Sequence, residues 1–97
     1  MQSAPATDIL LDIYRRMTSI KANDTRIIAT MKAGRLTMPY YSARGQECIP
    51  AAVSVLLTKE DYLVTMYRGV HDMIAKGVPT KLIWAEFAGR STGTCKG

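Results

Sequence analysis

In the stretch TDILLDIYRRMTSIKANDTRIIATMK, Thr7 to Lys32, apolar side chains at Leu10, Ile13, Tyr14, Met17, Ile20, Ile27, Ile28 and Met31 recur at short steps, mostly three or four residues. That is the period of one helical face, so the stretch reads as an amphipathic helix. Thr7 is placed to cap it, and Asp8 lies in the first turn, where the helix dipole favours an anion. Gly34, just past Met31-Lys32-Ala33, is a natural left-handed stop. The pattern fits one long helix or two broken near Asn23.

Beyond it, Gly34 to Arg44 mixes Gly, Thr, Pro and Ser with the adjacent tyrosines Tyr40 and Tyr41, and reads as an irregular loop of a length that usually serves a function. Cys48 to Leu57 is a compact apolar run. Pro50 is tolerated only near the first turn of a helix, which places the start of a second helix close to Glu47. Thr58 to Asp61 forms a polar turn, and the β-branched and aromatic content of Tyr62-Leu63-Val64-Thr65-Met66 predicts a short strand. Arg68 to Lys76 then forms a helix ended by Gly77. Pro79 is suited to the first helical position of a last helix, Thr80 to Ala88, with Gly89 as its stop. The expected fold class is mainly α with one short strand.

The chain has 97 residues, 47% of them hydrophobic and 22% charged, which describes one domain or a piece of one. A chain this short buries about 60–65% of the surface it exposes unfolded, so self-association or an assembly partner is expected. The predicted strand has no visible mate, and a lone short strand leaves its backbone groups unsatisfied. Either the chain is part of a longer protein or it completes its fold by association. Its apolar run Ile49 to Leu57 falls well short of the roughly 20 residues a membrane-spanning helix needs. Met1 to Ala6 lacks the basic opening and apolar core of a secretory signal, which points to the cytoplasm. Cys48 and Cys95 form no CxxC pair and are accompanied by a single histidine, His71, so neither a zinc site nor a disulfide framework is expected. The net charge of +5 is spread from Arg15 to Lys96, with Arg15-Arg16 the one adjacent basic pair, so nucleic acid is not the expected partner.

Several ordered stretches carry a resemblance: Tyr14-Arg15-Arg16-Met17, Gly45-Gln46-Glu47, the run Tyr67-Arg68-Gly69-Val70-His71-Asp72-Met73-Ile74-Ala75-Lys76-Gly77, and Glu86-Phe87-Ala88-Gly89-Arg90 followed by Gly93-Thr94-Cys95-Lys96-Gly97. Together, from about Ile9 to Gly97, they resemble the N-terminal part of the alpha subunit of the thiamine-diphosphate-dependent first component of 2-oxo acid dehydrogenase complexes, of the pyruvate and acetoin type. The resemblance implies an incomplete domain over residues 1–97 of a parent with the α/β thiamine-diphosphate-binding fold. It implies an oxidoreductase that uses thiamine diphosphate with magnesium, held between alpha and beta subunits, and passes its acyl product to a lipoyl-bearing acyltransferase.

Residue by residue, the family's Tyr-Arg pair at the cofactor transfers to Tyr67 and Arg68, the arginine facing the diphosphate. A guanidinium suits that task, since its planar, permanently charged donors match phosphate oxygens. Upstream of Gly45-Gln46-Glu47, Tyr41 holds the place of a substrate-handling histidine, and is either a substrate contact or a plain loop aromatic. A tyrosine, with a pKa of about 10, does not shuttle protons near neutrality as imidazole does. Val70 stands where many members carry a histidine, and His71 follows one position later, turned by about 100 degrees on a helix. A structural or surface role is therefore favoured for His71 over a catalytic one. The family's Gly-Asp-Gly metal motif is absent from these residues, so the chain is not expected to turn over substrate alone. The alternative function is a small basic helical binding module or a non-catalytic remnant.

Overall fold

The computed structural model describes residues 4–97. Its spine is α1 (Thr7–Lys32), a single 26-residue helix that runs unbroken through Asn23. The polar residues in its middle do not break it because they bond to its own carbonyls: Asn23 to Ser19 at 2.8 Å, Thr25 to Lys21 at 2.9 Å and Thr30 to Arg26 at 2.7 Å. Thr7 is the first helical residue and not the cap. Ala6 holds that place without a side-chain bond, and the anion at Asp8 remains in the first turn. The other end closes as expected at Gly34 (φ +76°), where the amides of Gly34 and Arg35 return to the carbonyls of Met31 and Thr30.

Three short helices follow: α2 (Cys48–Ser54), α3 (Val70–Lys76) and α4 (Thr80–Phe87). Pro50 occupies the first turn of α2, where an amide has no partner to lose. Gly77 (φ +106°) and Gly89 (φ +69°) stop α3 and α4. Pro79 flanks α4 in an extended conformation (ψ 127°) and does not begin it.

The expected strand at Tyr62–Met66 is not formed, and no strand occurs among the described residues. The segment is irregular and lies outside any ladder, with Tyr62 and Val64 at 97% and 95% exposure. Residue types that favour a strand do not make one without an edge to pair with, because the backbone groups need partners.

The packed centre is small. Ile20 and Ile27 of α1, Leu36 of the following loop, Ala51 of α2, Ala75 of α3 and Ile83 of α4 are its buried apolar side chains. Ala51, Ser54 and Ala75 let α2 and α3 approach closely. Arg16 then ties them to α1: its Nη1 donates to the carbonyls of Ser54, at 3.4 Å, and of Ala75, while Asp12 holds its Nε at 3.3 Å. A guanidinium at two helix C-termini meets both their unpaired carbonyls and their dipoles. Across the molecule, the Trp84 indole donates to Asn23 at 3.0 Å and fixes α4 on α1.

This centre covers little of the chain. The accessible surface is 7189 Å², against about 5,500 Å² for a compact monomer of this mass. The radius of gyration is 14.5 Å, against about 12.5 Å for a compact domain of this length. Large apolar side chains stand exposed in it, including Tyr14, Ile49, Leu56, Tyr62, Val64 and Tyr67.

Candidate functional site

The loop after α1 is shaped by one buried carboxylate. Asp24 shares the inner face of α1 with Ile20 and Ile27 and is 5% exposed. It accepts hydrogen bonds from the Tyr40 hydroxyl at 2.6 Å and the Ser42 hydroxyl at 2.9 Å, and pairs with the Arg44 guanidinium at 3.6 Å. Burial, and then the Asp24 carboxylate, push the Tyr40 hydroxyl well above the usual phenol range. Three side chains anchored on one carboxylate fix the course of residues 40–44. Tyr41, between two of the anchors, is turned outward.

The loop ends at Gly45 (φ +93°), whose amide donates to Glu47 Oε2 at 2.9 Å. That bond, formed just before α2, occupies the Glu47 carboxylate.

On the other side, Tyr67 and Arg68 sit in the turn that leads into α3, closed by the Gly69 amide on the Met66 carbonyl at 2.9 Å. Gly69 is buried against Thr65; a Cβ there would run into the Thr65 side chain. Thr65 in turn donates its hydroxyl to Asp72. The turn therefore needs a glycine for space.

These two segments meet. The rings of Tyr41 and Tyr67 pack edge-on, with centroids 5.6 Å apart and planes at 87°. The Arg68 guanidinium lies 5.7 Å from the Tyr67 ring centroid. Tyr41, Arg68 and His71 line one recess together with Asp24, Arg44 and Glu47. The recess measures about 10 Å³, room for about one water molecule. A larger ligand would lie over its mouth, against the exposed faces of Tyr41, Tyr67 and Arg68.

His71 is mostly buried, its side chain 14% exposed, with Nε2 3.6 Å from Asp72 Oδ1. Its Nδ1 is buried without a hydrogen-bond partner among the described residues. A buried polar atom of this kind calls for a partner, and it belongs to a side chain that lines the recess.

All four residues singled out in the sequence thus lie in one neighbourhood. The Asp24, Tyr40, Ser42 and Arg44 network was not anticipated. Its trace in the sequence is an acid set on the apolar stripe of α1, between Ile20 and Ile27. Among the described residues no three His, Cys, Asp or Glu side chains gather as a metal ion needs, and no helix is long and apolar enough to cross a membrane.

Most of α1, the three shorter helices, the paired tyrosines and the Arg68 turn fall within residues 14–97, which match the family model described as the dehydrogenase E1 component. The chain belongs to that family. Its relatives include the pyruvate dehydrogenase E1 component subunit alpha-3, chloroplastic, of Oryza sativa subsp. japonica, 27% identical over 98% of this chain and 22% of the relative. The pyruvate dehydrogenase E1 component subunit alpha of Bacillus subtilis is 36% identical over 74% of this chain and 19% of its own length. The mitochondrial subunit alpha of Schizosaccharomyces pombe is 28% identical over 96% of this chain and 24% of its own length. The chain therefore spans about a fifth of the curated relatives it matches. No solved structure matches it.

Proposed function

We propose that residues 1–97 form part of the thiamine-diphosphate-binding domain of a 2-oxo acid dehydrogenase alpha subunit, with an α/β fold completed by further chain. The observation that carries this reading is the convergence of Tyr41, Arg68 and His71 on one recess, with Tyr67 packed on Tyr41. The donor set fits the diphosphate end of the cofactor. Arg68 makes no ion pair among the described residues, so its charge is free for phosphate oxygens.

On this reading Arg68 holds the diphosphate and Tyr67 places a ring and a hydroxyl beside the cofactor. The chemistry that bound thiamine diphosphate supplies is carbanion attack on the carbonyl of a 2-oxo acid. Tyr41 orients the substrate through its hydroxyl, and the unpartnered Nδ1 of His71 offers a site for a hydrogen bond or proton at the recess. Magnesium ligands are assigned to the part of the relatives that this chain does not span. The relatives' names favour pyruvate as substrate, while Tyr41 in the place of a histidine favours a departure toward another 2-oxo acid or acetoin.

A beta subunit and a lipoyl-bearing acyltransferase are the partners this reading requires, and the exposed apolar surface supports a covering partner or self-association. Both cysteines are free and exposed, which suits the reducing cytoplasm. The test is to extend the chain to the length of its relatives, mix it with a pyruvate dehydrogenase E1 beta subunit and follow assembly by size-exclusion chromatography. A stable heteromer is expected; a chain that ignores the beta subunit and melts as a cooperative monomer contradicts the reading. The narrow recess favours a second reading, a basic binding module or non-catalytic remnant, which predicts no response to the cofactor.

A further inference from the structure

A second concavity lies away from the tyrosine pair. It is an open groove of about 690 Å³ between the C-terminal half of α1 and α4. Arg26, Arg35, Lys81 and Arg90 line it, and no acidic side chain does. All four cations are exposed, and none makes an ion pair among the described residues. The nearby acids are committed elsewhere. Asp24 is buried among Tyr40, Ser42 and Arg44, and Glu86 accepts from the Cys95 and Gly97 amides. Four of the chain's thirteen Lys and Arg side chains thus line one groove without compensation.

We propose that this groove docks an acidic polypeptide segment. Its open form suits an extended chain better than a compact anion, which would call for an enclosed pocket. Charges distributed over two helices favour a partner with several carboxylates, and three of the four cations are arginines, whose forks pair bidentately with them. A polypeptide partner is also at hand by family, since the relatives are named as one subunit of one component of a larger enzyme. The inference uses family membership but neither Arg68 nor the cofactor, so it stands or falls apart from the reading of the tyrosine site.

The chain carries its own reporter, because its single tryptophan, Trp84, lines the groove. The full chain is titrated with a short oligo-glutamate peptide while Trp84 emission is followed. Saturable binding is expected, weakened at least about tenfold in the combined variant Arg26→Gln, Lys81→Gln, Arg90→Gln. The combined variant Arg15→Gln, Lys32→Gln, Lys59→Gln removes equal charge outside the groove and is expected to stay within about twofold of the parent. Ala88→Glu, which sets an acid on the exposed groove wall, is expected to block the peptide and serves if the triple variant does not fold. The proposal is overturned by equal loss in both triple variants, by no saturable binding, or by stronger groove-dependent binding of duplex DNA or inorganic tripolyphosphate than of the peptide.

Discussion

Asp24 and Tyr40, sixteen positions apart in sequence, are joined by a 2.6 Å hydrogen bond that seats the loop after α1 on the helix itself. The same carboxylate holds Ser42 and Arg44, so the position of Tyr41 against Tyr67 depends on a residue that hydrogen-bonds to neither of them. Asp24→Ala removes the shared acceptor and is expected to cost about 2–4 kcal/mol. Urea denaturation measures this. Asp24→Asn, which keeps one acceptor oxygen, is expected to lose less; equal and small losses in both would mean the network does not hold the loop.

The Tyr40 hydroxyl is pushed upward by burial and by Asp24, so its neutral form is favoured in the folded state. The stability it contributes is therefore complete below the unfolded phenol pKa of about 10 and is lost as pH rises through the higher folded value. Ultraviolet titration of the chain's five tyrosines is expected to show one ionising late, and Tyr40→Phe is expected to remove that late component.

Gly69→Ala drives a Cβ into Thr65 and forces its hydroxyl away from Asp72. An overpacked site of this kind costs about 1–3 kcal/mol. Because the turn presents Tyr67 and Arg68, cofactor affinity is expected to fall with stability, whereas Gly34→Ala, away from the turn, is expected to lower stability alone.

Tyr62 and Val64 are nearly fully exposed apolar side chains on a segment without strand partners. Tyr62→Lys with Val64→Lys is expected to reduce self-association of the isolated chain, read by sedimentation velocity, while leaving its helical circular dichroism unchanged. Association that persists undiminished would place the contact elsewhere on the surface.

The helices were legible because their signals are local. The stripe of α1 and the stops at Gly34, Gly77 and Gly89 each act within a few residues. Asn23 is a polar residue at which the sequence allows α1 to break, yet its side chain bonds within the helix and to Trp84. Tyr62–Met66 carried strand propensity without a strand, because pairing is a property of two segments and composition reports on one. The resemblance singles out Tyr41, Tyr67, Arg68 and His71, and the structure places them in one neighbourhood. Asp24 was hidden because its partners lie sixteen to twenty residues away, where periodicity says nothing.

On the proposed reading Arg68 meets a diphosphate beside Tyr67. Calorimetric titration of the alpha subunit completed by further chain, assembled with a beta subunit, against thiamine diphosphate with magnesium and against unphosphorylated thiamine measures it. Arg68→Ala is expected to weaken thiamine diphosphate by about 10- to 100-fold, the loss of a charge-assisted pair, and to leave the weak binding of thiamine unchanged. Equal affinity of parent and variant for thiamine diphosphate, or no binding by the assembled parent, would rule out this role for Arg68.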